Sequence, residues 1–358
     1  MNRKKLTGIS ISVAMLMTAG SAQAASWTAG AWELSLGGNI NANFMMTQCS
    51  DSDLGAGAAT MAGFACLGAQ DENGNFTDQQ SIENGLLPAA LNFSAKTTQD
   101  DWDLAANINV YYGINSNASA GGPDALKFSS VDARQIFVTA SKKEGGEFKF
   151  GRDFGLFGFD PIIADMSLIG AGPNFVAQDP GHTTLGGLGY GYVYTDRLAQ
   201  INYTTADMSG FKGTVGLFQP FDGNGASSSG DIGIHAKGSY SRNNYTLSAT
   251  FLSQGVATDA GTSEDITGFD VFFKIDIGKI GLAAYLYEAE GMTSLAIGGL
   301  LLPGFDATTG DPEETSGNML QATYQASPEL KLGINLSHSE QDKVTLVEND
   351  RLTLGAYY

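Results

Sequence analysis

The sequence predicts an all-β chain whose antiparallel strands run up and down and close into a barrel that crosses a membrane. Three observations lead there. Segments of 8 to 13 residues alternate strictly between apolar and polar positions along nearly the whole chain. The turns between them are by rotation short and long. Glycine is abundant at 47 of 358 residues, while proline is sparse at 9, which disfavours a helical bundle and shows no collagen-like period.

Composition narrows the function classes. Charged residues are 16% of the chain and apolar ones 42%, so there is enough oily surface to order the chain and too little charge for disorder. A net charge of −19 opposes any phosphate-backbone partner and excludes a nucleic-acid role.

The elements follow in order. Arg3, Lys4 and Lys5 precede the apolar run Leu6 to Ala19, and Ala22, Gln23 and Ala24 form a small-residue exit. That is the pattern of a secretory signal peptide over residues 1–24, with an apolar run too short to span a bilayer. It leaves one barrel domain over 25–358. Cys49 and Cys66 are the only cysteines, and the export route makes a disulfide between them the expected state. Closing a loop of about 17 residues stabilises it by ~3 kcal/mol in the chain-entropy picture. Their spacing matches no metal site, and neither metal nor cofactor is expected.

Alternation then begins. Between Trp32 and Phe44, Leu34, Leu36 and Ile40 oppose Ser35, Asn39 and Asn41; in 103–112, Leu104, Ile108 and Val110 oppose Asp103, Asn107 and Asn109. Fifteen such strands are predicted, at 31–45, 88–97, 101–113, 133–141, 146–152, 187–195, 198–206, 210–218, 231–241, 244–253, 267–277, 280–289, 317–326, 329–338 and 349–358. Most match the roughly 9–11 residues that a tilted strand needs to cross hydrocarbon. Long excursions at 46–87, 114–132, 219–230, 254–266 and 290–316 alternate with tight turns, as in outer-membrane barrels. Tyrosine and tryptophan recur near strand ends, where lipid-interface girdles sit. A secreted sandwich would also alternate, burying its oily faces between two sheets; it is the competing fold. An up-and-down barrel closes on an even count, so fifteen means either a missed strand or a fragment lacking the last one.

One region carries more than rhythm. Ala133-Arg134-Gln135-Ile136-Phe137-Val138, then Gly146-Glu147-Phe148-Lys149-Phe150-Gly151-Arg152-Asp153-Phe154-Gly155, then Ala164-Asp165-Met166 resembles the general porins of Gram-negative bacteria. In that family an arginine-led strand, a short turn and a Phe-x-Tyr/Phe-Gly-Arg strand lead into a loop folded back inside the barrel. The resemblance implies 16 strands, usually a homotrimer, and an inward constriction loop at about 153–178, after the fifth strand. It implies Asp165 as the loop acid and Arg134 as a basic wall residue. A second family acid would fall on Ile169 and a wall arginine near Ala90, so a less charged constriction is expected.

The residues themselves support part of this. Leu156, Phe157, Phe159, Ile162, Ile163, Met166 and Leu168 would be poorly placed in water and favour an inward, wall-packed loop. Lys149, opposite Phe148 and Phe150 in parity, points to the lumen and joins Asp165 and Arg134 as a pore-constriction residue. Arg134 is open between constriction wall and lipid-interface anchor, because simple parity groups it with Ile136 and Val138. Asp165 is open between lumen and helix cap. Arg152, Asp153 and Asp160 are read as loop-anchoring ion pairs.

The expected function is passive diffusion of small hydrophilic solutes and ions through a water-filled channel of the outer membrane, among lipid and lipopolysaccharide. Removing Arg3, Lys4 and Lys5 leaves 16 basic against 38 acidic residues, or −22, which favours cations at the mouths. No G-x-S-x-G and no H-E-x-x-H occurs, so an enzyme is not expected. The alternatives are a substrate-specific channel, using Tyr111, Phe137, Tyr190 or Tyr285, and the secreted sandwich as a binding protein.

Overall fold

Alternation of oily and polar side chains makes each strand two-faced, and the computed structural model shows where each face goes. It describes residues 9–11, 24–48, 79–113, 131–168, 170, 184–195, 197–223, 225–292, 303–342 and 347–357. Cys49, Cys66 and Ile169 lie outside the described residues, as do residues 171–178 of the expected constriction loop and most of the 1–24 leader.

In chain order the strands are β1 (Ile9–Ile11), β2 (Ala25–Ala29), β3 (Trp32–Asn39), β4 (Asn43–Gln48), β5 (Gln79–Glu83), β6 (Ala89–Gln99), β7 (Trp102–Tyr112), β8 (Val131–Lys142) and β9 (Gly146–Phe154). A six-residue helix, α1 (Phe159–Ala164), follows. Then come β10 (Arg197–Thr204), β11 (Phe211–Phe218), β12 (Ala226–Ser228), β13 (Gly233–Arg242), β14 (Tyr245–Thr258), β15 (Ser263–Ile277), β16 (Ile280–Glu290), β17 (Glu314–Gln325), β18 (Lys331–Asp342) and β19 (Val347–Tyr357).

Sixteen of these form one antiparallel sheet; fifteen follow a single path from β2 to β19, and the short β12 adds to β14. Strands β1, β4 and β5 form a separate three-stranded sheet. The long predicted strand 31–45 is therefore two, with its second half leaving the main sheet.

The sheet curls around one segment. The amide of Leu87, just before β6, donates to the carbonyl of Leu168 at 2.6 Å, while Arg351 of β19 donates to the carbonyl of Gly186 at 2.9 Å. Strands near both ends of the path thus reach one inner segment, made of residues 155–168 and 184–195, which only a rolled sheet permits.

The oily faces point away from it. Ile201, Val215, Leu286, Leu320, Leu336 and Leu352 are each half-exposed or more, and among the described residues no second sheet covers them. The competing sandwich fails here, because it would bury these residues. At the short-turn rim the same outer face carries Trp32, Trp102, Phe148, Tyr203, Phe211, Tyr240, Tyr245 and Tyr324, the composition of an interfacial girdle. Lys142 sits 4.7 Å over the Trp102 ring, an anchor suited to that boundary.

The predicted strand 187–195 is not one. Gly186, Gly189 and Gly191 have φ of +67°, +29° and +115°, a backbone that extended pairing does not use. Leu188, Tyr190, Tyr192, Val193 and Tyr194 are all buried, on both parities, so this stretch lies inside rather than in the wall.

The lumen wall and the segment that crosses it

Residues 155–168, which follow β9, and 184–195, which precede β10, pack across the inner face of β13–β19. Their core is Phe157, Leu185, Leu188, Tyr190, Tyr192 and Val193 against Leu252, Ile266, Phe272, Tyr285, Tyr287 and Met319. Burying this many large apolar groups, at ~1.5–3 kcal/mol each, explains why a stretch so rich in them folds inward. Inner-face glycines make room: a Cβ on Gly268 would stand 2.9 Å from the Phe157 ring.

Polar groups fix its position. The amide of Gly158 donates to Asp270 Oδ2 at 2.6 Å. Lys237 Nζ of β13 and Ser248 Oγ of β14 each donate to Asp160 at 2.5 Å. Further on, the Met166 amide donates to Gln321 Oε1 at 2.8 Å, and the Gly189 amide to Ser337 Oγ at 2.9 Å. Tyr190 is hydrogen-bonded to Thr315.

Asp165 caps α1 at its C-terminus and is buried. Its carboxylate accepts from the Ser167 amide and hydroxyl, both at 2.7 Å, from the Gly187 amide at 2.6 Å and from the Tyr192 hydroxyl at 2.8 Å. The acid is saturated by its own segment, joining 165–167 to 186–192. Burial, and then Asp165 beside it, push the Tyr192 hydroxyl well above the ordinary tyrosine range.

The wall residues divide. Between β7 and β8 the register shifts: Asn109 pairs with Gln135, but Val110 pairs with Ala133. Arg134 is the extra residue of this bulge. It is buried, with its guanidinium 4.9 Å from the Tyr111 ring centroid, and Tyr111 points inward with Asn107 and Asn109. Gln135 Oε1 accepts from the Tyr111 hydroxyl at 2.7 Å and from Asn109 at 2.9 Å, and Gln135 Nε2 donates to Asp153 Oδ1 at 2.8 Å. Lys149 closes the chain, 2.5 Å from Asp153 Oδ2 and 5.0 Å over the Phe137 ring. Lys149, Asp153 and Arg134 therefore belong to one inner-wall network.

Arg152 does not. Its cross-strand partners are Ile136 and Ala199, and it is exposed on the outer face. The reading of Arg152 as a loop anchor is corrected on parity: it shares the apolar side with Phe150, so it cannot reach the segment inside. Of the residues considered for an aromatic slide, Tyr190 of the segment and Tyr285 of the wall are fully buried against each other's elements, and Tyr111 is occupied by Arg134 and Gln135.

Among the described residues the inner faces of the two halves differ. On β14–β18, Ser248, Thr250, Asp270, Tyr285, Thr315, Asn335 and Ser337 are buried beneath the segment. On β3 and β6–β9, Ser35, Asn92, Ser94, Lys96, Asn107, Thr139 and Lys149 stay open or partly open. At the short-turn end Glu33, Lys96, Asp103, Thr139 and Glu147 line a cavity of 570 Å³.

An oily outside, a polar inside and a partly filled lumen define a membrane channel rather than a catalyst. The chain belongs to the Gram-negative porin family, whose model matches residues 11–358. It is similar to the anion-selective porin from Comamonas acidovorans, with 16% identity and a TM-score of 0.62 over 91% of this chain and 83% of that one. It is also similar to Salmonella typhi OmpF in complex with daunomycin, at 14% identity and a TM-score of 0.61 over 93% and 88%. No curated protein sequence matches it. Membership of the family makes this a porin of the Gram-negative outer membrane, a channel and not an enzyme.

Proposed function

We propose that the inner segment, residues 155–168 and 184–195, forms the constriction of this porin, and that small hydrophilic solutes and ions diffuse passively between it and the inner faces of β3 and β6–β9. The observation that carries this is the asymmetry of the inner wall: one half is sealed by the segment and the other keeps its Asn, Ser, Thr and Lys side chains accessible. Water needs such hydrogen-bonding partners to fill a pore.

Selectivity follows from which charges remain accessible. Asp165 is consumed by the segment and Asp153 by Lys149 and Gln135, so the transverse acid–base field expected from the resemblance is muted. Glu33, Asp103 and Glu147, facing Lys96 at the short-turn mouth, favour a mild cation preference. Residues 1–24 act as the export leader. Homotrimers embedded in lipid and lipopolysaccharide are the expected assembly, supported by the family and by the uncovered outer belt.

Conductance of detergent-extracted protein in a planar bilayer tests all of this. Expected are ohmic steps arriving in threes and a reversal potential of cation sign in a salt gradient. An absence of steps would remove the channel reading, and an anionic reversal potential would remove the selectivity.

A further inference from the structure

The face of α1 that looks away from the wall is apolar. Asp160 is bound by β13 and β14, and the helix packs on β15 and β16. Pro161 is buried. Two residues on, at 100° per residue, Ile163 points to the opposite side and is 50% exposed. Phe159, one turn earlier on that side, is half-buried and stacked on Phe154 with ring centroids 5.0 Å apart. Among the described residues of the segment, the two carboxylates are turned elsewhere, Asp160 to Lys237 and Asp165 to the amides of Ser167 and Gly187 and the hydroxyls of Ser167 and Tyr192. The accessible wall offers hydrogen bonds and cations: Asn92, Asn107, Thr139, Lys96 and Lys149.

We propose that this channel favours small ionic or zwitterionic solutes carrying an apolar flank over fully polar solutes of equal size. The inference rests on reading the inner segment that carries α1 as the constriction. A solute that turns its apolar side to Ile163 and Phe159 loses little hydration there, and keeps its charged groups against the polar wall. A solute polar on every side must leave donors or acceptors unmatched against the apolar lip. Uniform polar pores carry no such distinction.

Swelling of proteoliposomes in iso-osmotic leucine or asparagine measures it, because the two zwitterions are nearly equal in mass and neither crosses lipid readily. Wild-type protein should admit leucine several-fold faster. Ile163→Asn should bring the ratio close to one without slowing asparagine, and Ile163→Val should retain most of the preference. Equal wild-type rates, or a ratio unchanged by Ile163→Asn, would overturn the proposal. A parallel Ile163→Cys variant, treated with a charged thiol reagent and compared with treated wild type, separates the two readings. Reduced conductance places residue 163 in the path and leaves the swelling ratio to decide; unchanged conductance removes the constriction itself, and the proposal with it.

Discussion

Arg134 lies over Tyr111, 4.9 Å from guanidinium carbon to ring centroid, because the β7–β8 ladder passes over one residue at this point. Cation–π pairs of this kind contribute about 0.5–2 kcal/mol. Tyr111→Leu, which also loses the hydrogen bond to Gln135, and Arg134→Met should each lower the unfolding free energy by at least that amount, and the double variant by less than their sum. Denaturant melts in detergent followed by far-ultraviolet dichroism would show it; strict additivity would mean the two side chains do not cooperate.

Asp160 ties the inner segment to the wall through Lys237 and Ser248. Lys237→Met leaves the carboxylate without its cation and beside Asp270, a change expected to cost about 1.5–3 kcal/mol. Open-channel current should grow noisier as α1 loosens. Adding Asp160→Asn should quieten it again, since the stranded charge is then gone; noise identical to wild type in Lys237→Met would count against the tether.

Tyr190 and Tyr192 both have hydroxyls pushed above the ordinary value of 10.0, burial being the first cause. A raised folded-state value means the folded protein holds these protons more tightly than the unfolded chain. Their stabilising contribution is complete below pH 10.0 and is lost as pH climbs beyond it. Thermal midpoints should therefore fall with alkaline pH, and less steeply in Tyr192→Phe. That variant should also lose about 1–2 kcal/mol at neutral pH through its missing bond to Asp165. An absorbance titration in which every tyrosine ionises before unfolding would contradict the prediction.

Gly268 faces Phe157 across a space that a Cβ would narrow to 2.9 Å. Gly268→Val overfills it, at a cost of about 1–3 kcal/mol, and should lift the segment toward the open wall. Single-channel conductance should drop, while Gly238→Ala, on the outer face of β13 with nothing closer than 3.8 Å to the added carbon, should leave conductance unaltered.

Much of this architecture was readable from period two alone. The strands around 101–113, 244–253, 280–289 and 329–338 fell within a few residues of β7, β14, β16 and β18, because each must show one face to hydrocarbon and the other to water. The same rule misplaced 187–195, where alternating glycine and tyrosine imitates a strand but positive φ values forbid one. It also joined β3 to β4, having no means to register that the chain leaves the sheet near Asn39. Asp160 gave no signal of its particular partners, since Lys237 and Ser248 stand 77 and 88 residues further along.

Sequence by itself determined that the chain would be a two-faced antiparallel sheet, since the side-chain period puts oily and polar residues on opposite sides; the uncovered outer face, which excludes a sandwich, was decided by the tertiary structure. Tertiary structure decided which charges work and which are spent. A single inserted residue turned Arg134 inward against its parity, Arg152 stayed outside by the same parity, and the hydrogen bonds of Asp165 closed within its own segment. Local alternation fixes a face only while the ladder keeps step, and the pairing of distant charges depends on how the sheet rolls around what it encloses.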